Sequence, residues 1–147
     1  MGNKIVYEKV NIDELDNTKF KKLAVLFNEV FPNIINPEDT QQNIKKCMHG
    51  EYDKDTWLLA IKNPDIIGMV TVSDIDDKHM YIYNFGVKKE FRRQGIGNTL
   101  FKTVVNDAKK RVVFSVDIHN PELIQMYRRW GATKYGSDEK YVNMRIN

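Results

Sequence analysis

The hydrophobic positions of this chain follow two periods that succeed each other along its length. Runs of β-branched and aromatic residues, several of them alternating with polar residues, predict strands at residues 5–10, 56–62, 66–73, 79–87, 112–118, 132–135 and 141–146. Apolar residues three and four apart predict helices at residues 13–31, 37–49, 96–108 and 120–131. We therefore predict an α/β domain of the mixed (α+β) type.

Turn and cap residues separate these elements. Pro32 ends the first helix, and Asn36 before Pro37 predicts the N-cap of the second helix, with Gly50 as its C-terminal cap. Polar turns are predicted at residues 63–65, 74–78 and 136–139. The first of these turns joins two strands, which we expect to form an antiparallel hairpin.

One pair of predicted strands differs from the others because a helix separates its members. Residues 79–87 and 112–118 flank the helix that begins near residue 96. Parallel neighbours in a sheet need such a crossover, and a helix usually supplies it. We therefore expect a mixed, mostly antiparallel central sheet of six to seven strands with one parallel pair, flanked by about four helices.

Length and composition fit a single soluble, cytoplasmic domain, which we expect to span residues 1–147. Such a chain can build a core without disulfides or metal, and the single Cys47 cannot form an internal disulfide. The formal net charge of +3 comes from interspersed charges, which do not by themselves indicate nucleic acid binding. No segment has the pattern of a signal peptide or a membrane span, so we expect no membrane partner.

The loop after strand 79–87 carries the clearest functional signal. Its sequence places Gly95 and Gly97 at the start of the following helix. The first N–H groups of a helix have no intrahelical partner, and glycine lets an anion approach them closely. With the helix dipole and the charges of Arg92 and Arg93, this loop suits a phosphate or pyrophosphate. The alternative is that the glycines only shape a turn and the arginines are solvated.

Two better-known glycine loops do not fit this spacing. A P-loop requires Lys directly after its second glycine, whereas Asn98 follows Gly97 here. A dinucleotide-binding loop requires a third Gly or Ala three residues after the second, where this chain has Leu100. The loop therefore belongs to another class of anion site, if it is one.

The loop resembles the acetyl-CoA-binding motif of the GCN5-related N-acetyltransferases. The similar stretch is residues 87–100, VKKEFRRQGIGNTL, with Arg92, Gly95 and Gly97 at the defining positions. A second signature of that family resembles residues 120–132, NPELIQMYRRWGA. Two motifs in this order are more specific than either alone. The resemblance implies the acyl-CoA N-acyltransferase fold, in which the parallel pair splays apart at the centre of the sheet.

The same resemblance implies that acetyl-CoA is the cosubstrate. Its pyrophosphate is expected on the N–H groups of the glycine loop, and its pantetheine arm along the preceding strand. Gly86 inside that strand predicts a bulge or a close backbone approach, and otherwise only sheet curvature. The implied cofactor-binding residues are Phe85, Gly86, Val87, Arg92, Arg93, Gln94, Gly95, Ile96, Gly97, Asn98, Thr99, Asn120 and Tyr127.

The resemblance also implies two catalytic groups. The backbone N–H of Phe85 would polarise the thioester carbonyl, and Tyr127 would act as the general acid for the leaving thiolate. A thiol has a pKa of about 8.5 and a phenol one of about 10, so tyrosine keeps its proton until the thiolate forms. Tyr127 also stands at helical spacing with Leu123 and Trp130, and a core aromatic is the alternative. Asn120 is expected to cap its helix and, by resemblance, to bind the pantetheine.

The sequence leaves the proton acceptor of the amine undefined. Many members of the resembled family carry a Glu near the position of Tyr83, whereas residues 81–87 contain no carboxylate. The candidates are Glu29, Asp117, His119 and a chain of water molecules. His119 is a candidate base because it follows a parallel strand, where the sites of α/β proteins form.

These observations predict an N-acetyltransferase that needs no metal and no nucleic acid partner. We expect acetyl transfer from acetyl-CoA to a primary amine of a small molecule or peptide by direct attack in a ternary complex, carried out by a monomer or homodimer. A non-catalytic acyl-CoA-binding or regulatory module on the same fold is the alternative, which the missing carboxylate supports. A basic nucleic-acid patch at residues 88–95 is a third interpretation, against which the strand-to-helix placement argues.

Overall fold

The computed structural model describes residues 4–49 and 55–146, in which strands and helices alternate. No helix in this part of the chain is long and apolar enough to cross a membrane. The strands are β1 (Val6–Val10), β2 (Asp55–Lys62), β3 (Asp65–Asp74), β4 (His79–Val87), β5 (Arg111–Asp117), β6 (Thr133–Ser137) and β7 (Tyr141–Ile146). The helices are α1 (Asn17–Val30), α2 (Gln41–Met48), α3 (Ile96–Asp107) and α4 (Pro121–Arg129).

The strands form one sheet in the order β1-β2-β3-β4-β5-β7-β6. All neighbouring strands are antiparallel except β4 and β5, which run parallel and are connected through α3. Short 3-10 turns precede α1 and α3 at Ile12–Glu14 and Lys89–Phe91. A mixed sheet with one central parallel pair confirms the predicted fold class.

The core has two layers because side chains of a strand alternate between the faces of the sheet. On β2, Trp57 and Leu59 face the layer that α1 and α2 cover, whereas Leu58 and Ala60 face the layer that α3 and α4 cover. All four side chains are buried. Since helices cover both faces of the central strands, a ligand can reach these strands at the end of β4 but not through either face.

The start of the first helix was predicted too early. α1 begins at Asn17 because the Asp16 side chain accepts a hydrogen bond from the Lys19 N–H (2.8 Å) and caps the helix there. The acidic residues before it form the separate turn Ile12–Glu14. The predicted end is confirmed, since α1 stops at Val30, two residues before the proline.

The start of the second helix was also wrong. α2 begins at Gln41 with Thr40 as its N-cap, not at residue 37. Asn36 caps only a turn, in which its Oδ1 atom accepts a hydrogen bond from the Glu38 N–H (3.0 Å). The predicted cap at Gly50 lies outside the described residues.

The last turn is shorter than predicted. Gly136 and Ser137 belong to β6, where they pair with residues of β7. The turn is closed instead by Asp138, whose Oδ1 atom accepts hydrogen bonds from the N–H groups of Lys140 and Tyr141, each at 2.8 Å. β6 therefore ends at Ser137, two residues later than predicted.

β4 contains a bulge immediately before its last two residues. Tyr83 and Gly86 pair with β3 residues that lie only two positions apart, so Asn84 and Phe85 together oppose one residue of β3. Asn84 has a φ of +51°, in the left-handed region that asparagine tolerates better than most residues. Its Nδ2 atom donates to the Met48 carbonyl (2.9 Å) and fixes the bulge against the end of α2.

The bulge coincides with the separation of the parallel strands. Pairing between β4 and β5 covers residues 79–81 and 111–113 only. Beyond this short ladder, residues 82, 83, 86 and 87 of β4 pair with β3. The sheet is therefore splayed between β4 and β5 at the end that leads into α3, as the predicted fold requires.

Of the two roles that the sequence predicts for Gly86, a bulge or a close approach, the structure has the second. The bulge lies at the two preceding residues, while Gly86 allows α1 to approach the strand. A Cβ atom built on Gly86 would lie 2.5 Å from Cγ1 of Val30, far inside van der Waals contact. Valine is stiff at χ1 and cannot turn away cheaply.

We therefore expect Gly86→Ala to destabilise the fold by about 1–3 kcal/mol, the usual cost of overpacking. Urea unfolding measures the change. Gly136→Ala is the matched control in β6, because among the described residues its Cβ atom would come no closer than 3.8 Å, to the side chain of Asn143. Adding Val30→Ala should restore part of the loss in the Gly86 variant, and an unchanged free energy of unfolding for Gly86→Ala would contradict the close contact.

Candidate functional site

The start of α3 presents backbone N–H groups. Gly95 is the N-cap and has a φ of +83°, a left-handed conformation that favours glycine. The first helical hydrogen bond runs from the Thr99 N–H to the Gly95 carbonyl (3.0 Å), and the Thr99 hydroxyl donates to the same oxygen (2.9 Å). The N–H groups of Ile96, Gly97 and Asn98 precede this bond, so helix geometry gives them no acceptor.

The glycines leave open space in front of these donors. A Cβ atom built on Gly95 would meet nothing within 4 Å in the described part of the chain, and one on Gly97 would lie 3.6 Å from Phe85 and Val87. The Oδ1 atom of Asn98 is buried and has no hydrogen-bond partner among the described residues. The open space at the two glycines therefore lets an anion reach the N–H groups of the helix start.

Two arginines flank this surface. Arg92 donates from Nε to the carbonyl of Val87 (2.9 Å), which ties the loop to the end of β4. A guanidinium group has five N–H donors, so this bond leaves the charge and other donors for an anion. Arg93 has a φ of +65°, and both side chains are exposed.

A cavity of about 630 Å³ joins the start of α3 to the gap beside β4. The structure brings most of the residues that the sequence predicts as cofactor-binding into its wall: Phe85, Gly86, Val87, Arg92, Arg93, Gly95, Gly97, Asn98, Asn120 and Tyr127. Three predicted residues lie outside the wall. They are Gln94, which is exposed, Ile96, whose side chain is in the core, and Thr99, whose N–H is engaged within the helix.

The sequence reasoning missed five residues of the wall: Val30, Phe91, Leu123, Met126 and Trp130. Leu123, Met126 and Trp130 come from the α4 region. Together with Asn120 and Tyr127 they recur at intervals of three and four residues. That helical spacing was a usable signal, because it places them on one face. Val30 and Phe91 come from other elements, and no local pattern connects them to the cavity.

Tyr127 is the centre of an aromatic cluster between the sheet and the cavity. Its ring centroid lies 4.5 Å from that of Phe114, 5.6 Å from Phe101, 5.7 Å from Trp130 and 6.1 Å from Phe85. Only 7% of Tyr127 is exposed. Tyr127 is therefore a core aromatic that also lines the cavity, and its role as general acid stays a prediction.

Asn120 caps α4 as predicted. Its Oδ1 atom accepts a hydrogen bond from the Leu123 N–H (3.2 Å), and Pro121 stands in the first helical turn. The bond uses the amide oxygen and leaves the side-chain NH2 group with its two donors. Since Asn120 also lines the cavity, a capping residue here presents donors to whatever enters.

The structure does not bring the predicted proton acceptors to the cavity wall. Both Glu29 oxygens face cations or donors, with Oε2 accepting from the Lys89 N–H (3.0 Å) and Oε1 lying 3.8 Å from the Lys88 ammonium. Asp117 accepts a hydrogen bond from the His119 N–H (2.8 Å), and both residues are exposed at the end of β5. Within residues 4–49 and 55–146, no group of three His, Cys, Asp or Glu could hold a metal ion.

Comparison with known families accounts for this arrangement. The sequence model of the Acetyltransferase (GNAT) family matches residues 20–132. The chain belongs to this family. The match begins within α1 and ends just before β6, so it includes the glycine loop and α4.

Known GNAT proteins are similar in sequence and in fold. "Probable N-acetyltransferase san" of Drosophila melanogaster is 25% identical over 140 residues, which cover 90% of this chain and 72% of that protein. An acyl-CoA N-acyltransferase structure from Pseudomonas aeruginosa has a TM-score of 0.74 at 18% identity and covers 98% of this chain and 100% of that one. A GNAT acetyltransferase from Elizabethkingia anophelis, solved with acetyl-CoA bound, has a TM-score of 0.71 at 17% identity and covers 97% of both chains.

Burial controls the acid–base behaviour of Tyr127 in this GNAT domain. Desolvation penalises the phenolate, so burial raises the pKa of the Tyr127 phenol well above its usual value. The phenol is therefore protonated throughout the neutral range. It can donate a proton to a developing anion but cannot serve as a base at neutral pH.

This raised pKa predicts a loss of stability at alkaline pH. Above a pH of about 10, the unfolded chain loses the Tyr127 proton while the folded chain keeps it, so the free energy of unfolding falls by about 1.4 kcal/mol per pH unit for this group. Urea unfolding between pH 9 and 12 should show a shallower decline for Tyr127→Phe than for wild type. Tyr135→Phe, an exposed control, should follow wild type. Identical declines in all three proteins would contradict the burial of the phenol.

Proposed function

We propose that this chain is an N-acetyltransferase that transfers the acetyl group of acetyl-CoA to a primary amine of a small molecule or peptide. The observation that carries the proposal is the single cavity that joins the donor-rich start of α3 to the splayed strand β4. A cavity with an anion-binding surface at one end and an opening between strands at the other suits an elongated ligand with two different parts. Coenzyme A has this composition, with a pyrophosphate at one end and a thiol-bearing arm at the other.

The start of α3 fits the pyrophosphate. The N–H groups of Ile96, Gly97 and Asn98 would donate to its oxygens, and the helix dipole adds partial positive charge at the same point. Gly95 keeps the approach open because its Cβ position meets no atom within 4 Å. Arg92 lines the same cavity and would neutralise part of the charge.

The gap between β4 and β5 fits the pantetheine arm. Beyond residue 81 of β4, the backbone no longer pairs with β5, so its polar groups on that side can pair with the amides of an extended ligand. Asn120 faces the same cavity and retains the two donors of its side-chain NH2 group. Apolar wall residues such as Leu123 and Met126 would cover the methylene groups of the arm.

Acetyl-CoA supplies a thioester whose carbonyl carbon is open to attack by a neutral amine. The Phe85 N–H lies in the bulge of β4 and would donate to the carbonyl oxygen, on which negative charge develops. A preorganised donor of this kind contributes roughly 2.7–4 kcal/mol in other acyl-transfer sites. The bulge would thus leave for the ligand a backbone N–H that a regular strand uses in its own ladder.

Tyr127 would protonate the leaving thiolate. A coenzyme thiol has a pKa of about 8.5, well below the raised pKa of the buried phenol, so the proton is held until the carbon–sulfur bond weakens. Tyr127 and Phe85 line the same cavity, with ring centroids 6.1 Å apart. The acid and the oxyanion donor would therefore act on the sulfur and the carbonyl oxygen of one thioester.

Direct attack within a ternary complex is the simplest path for these residues. Cys47 is exposed on α2 and stands outside the cavity wall, so it does not offer an acyl-enzyme intermediate there. One ammonium proton leaves the site, the neutral nitrogen forms the new bond to the carbonyl carbon, and the carbon–sulfur bond breaks. The thiolate takes the Tyr127 proton, and the second proton lost by the nitrogen returns to Tyr127. The name of the Drosophila relative, a probable N-acetyltransferase, supports nitrogen as the acceptor atom.

A non-catalytic acyl-CoA-binding module is the second candidate. It is favoured by one observation, the absence of a carboxylate from residues 81–87 of β4. Such a module would use the same cavity and bind acetyl-CoA without releasing the thiol. Binding and turnover therefore need separate measurements.

Gly95→Ala tests the pyrophosphate assignment. Alanine at a φ of +83° costs about 1–2 kcal/mol. The ligand-free loop of the variant should therefore relax away from this conformation, and binding of coenzyme A must restore it. The affinity for coenzyme A, measured by calorimetry, should fall about tenfold. Gly131→Ala is the control, because Gly131 also has a positive φ (+101°) but lies outside the cavity wall. Equal affinities of wild type and Gly95→Ala, or equal losses in both variants, would remove the assignment.

Thiol release from acetyl-CoA tests the enzyme against the binding module. Polyamines, aminoglycosides, amino acids and short peptides are assayed with wild type and with Tyr127→Phe. Wild type should release the thiol with at least one amine, and Tyr127→Phe should lower kcat by a factor of about 10² to 10⁴ while retaining affinity for coenzyme A. Unchanged turnover in Tyr127→Phe would contradict the acid role, and binding without turnover for every amine would favour the module.

A further inference from the structure

The last turn of α1 contacts the segment that joins β4 to the glycine loop. Oε2 of Glu29 accepts a hydrogen bond from the Lys89 N–H (3.0 Å), and Oε1 of Glu29 lies 3.8 Å from Nζ of Lys88. Glu29 and Lys89 stand 60 positions apart in the chain. The contact therefore joins two elements that no local sequence signal connects.

The bond to Lys89 caps a turn that lacks a cap of its own. The first hydrogen bond of the 3-10 turn runs from the Phe91 N–H to the Lys88 carbonyl (2.9 Å), so the Lys89 N–H has no acceptor within the turn. Lys88, at the N-cap position, makes no side-chain capping bond. A carboxylate that accepts from such an N–H forms a charge-assisted hydrogen bond. Glu29 thus supplies from α1 the cap that the residues next to the turn do not.

The capped turn leads into an arginine of the cavity wall. Lys89 bonds α1 through its N–H, and its carbonyl accepts a hydrogen bond from the Arg92 N–H (3.3 Å). Arg92 also donates from Nε to the Val87 carbonyl and lines the cavity. Gly95, the N-cap of α3, follows three residues later. The contact with Glu29 therefore holds the start of the segment that carries the proposed pyrophosphate site.

The same turn of α1 also packs against β4. Val30 follows Glu29, and its Cγ1 atom lies only 2.5 Å from the point where a Cβ atom of residue 86 would stand. Val30 and Gly86 both line the cavity. Two successive residues of α1 thus contact the two structures that the proposed ligand spans, Val30 the splayed strand and Glu29 the segment before the glycine loop. The end of α1 sets the spacing between these structures.

Two electrostatic effects oppose a carboxylate at the position of Glu29. This residue lies in the last turn of α1, where the negative end of the helix dipole repels acids. It also places a negative charge next to the segment that leads to a proposed pyrophosphate site. The ion pair with Lys88 is weak, because 36% of the Glu29 side chain is exposed. The hydrogen bond from the Lys89 N–H is then the contact that offsets both effects.

We propose that Glu29 is a positioning residue for coenzyme A, which acts through Lys89 to hold the glycine loop in the conformation that receives the pyrophosphate. The inference rests on the function given under Proposed function, since it requires coenzyme A in the cavity. Without the cap, a smaller fraction of the protein has the binding-competent loop, and the apparent affinity falls by that fraction. This role replaces the role of proton acceptor that the sequence left open for Glu29.

Three substitutions separate the capping bond from the charge. Glu29→Ala removes both, and alanine is a good helix former that should leave α1 intact. Glu29→Gln removes the charge but keeps a carbonyl oxygen that can accept from the Lys89 N–H. Lys88→Met removes the ion pair and keeps the capping bond. The matched control is Glu8→Ala, which removes a carboxylate of similar exposed fraction (42%) that pairs with Lys19 of α1 (3.5 Å).

The affinity of each variant for coenzyme A is measured by calorimetry. Glu29→Ala should bind coenzyme A at least about threefold more weakly than wild type, which is within the range expected for a lost cap. Glu29→Gln should bind at least as tightly as wild type, because the capping bond remains and one negative charge is gone. Glu8→Ala should bind like wild type, and Lys88→Met should lose less affinity than Glu29→Ala.

Two further measurements distinguish positioning from a merely structural contact. Hydrogen exchange of the Lys89 amide should accelerate in Glu29→Ala and stay slow in Glu29→Gln, while the amides of β2 exchange as in wild type. With an amine that wild type accepts, Glu29→Ala should raise the KM for acetyl-CoA and leave kcat near the wild-type value, because the cavity wall formed by the described residues does not include Glu29.

The same series contains the results that would overturn the inference. Wild-type affinity in Glu29→Ala would contradict it directly. Equal losses in Glu29→Ala and Glu29→Gln would show that the charge acts rather than the bond, and an equal loss in Lys88→Met would give the role to the ion pair. A large fall of kcat in Glu29→Gln with retained affinity would make Glu29 the proton acceptor instead.

The wild-type protein decides the proposed function separately. If wild type does not bind coenzyme A, the proposed function and this inference are both wrong. If wild type binds coenzyme A but turns over no amine, only the enzymatic function is lost. The affinities of the Glu29 variants then still support or contradict the positioning role.

Discussion

One extra residue in β4 is the constraint on which the rest of the structure depends. Because Asn84 and Phe85 oppose a single residue of β3, the strand keeps its antiparallel ladder and yet turns away from β5. The bulge is held from outside the sheet by the bond from Asn84 to the Met48 carbonyl. Without it, a regular parallel ladder would close the gap, and the cavity would end at the glycine loop.

The two halves of the proposed site would use backbone groups more than side chains. The start of α3 offers N–H donors because Gly95 adopts a positive φ and the first helical bond begins only at Thr99. At the bulge two residues of β4 oppose one of β3, and under the proposed function the Phe85 N–H would be the oxyanion donor there. Backbone donors are fixed by the fold and need no reorganisation when charge develops on a ligand. Few side chains are then needed, which fits the low identity between this chain and GNAT proteins of the same fold.

The sequence predicted correctly the features that depend on interactions between residues close together in the chain. The glycine spacing at residues 95–97, the capping Asn120 and the alternating strands all act within a few residues, and the structure has each of them as expected. Helix starts were less predictable because competing caps stand close together. Asn36 and Thr40 are both good N-cap residues, and the structure uses the first for a turn and the second for α2.

Contacts between distant elements could not be read from the sequence. Val30 lines the cavity because α1 approaches β4 at Gly86, and only the assembled sheet brings them together. His49 gave no sign of its bond to Asp55. Proton acceptors predicted from the sequence alone, such as His119, lie outside the cavity wall. Burial and register decide these relations, and neither has a local signature.

The most direct measurement of the central claim is a titration of 15N-labelled protein with coenzyme A, followed by the amide resonances. The amides of residues 95–98 and 85–87 should shift together and saturate at one stoichiometric equivalent, because one ligand spans the helix start and the splayed strand. Shifts confined to another surface would contradict the claim. The cationic depression lined by Lys78, Lys109 and Arg111 at the opposite end of β4 is the place where non-specific phosphate binding would appear instead.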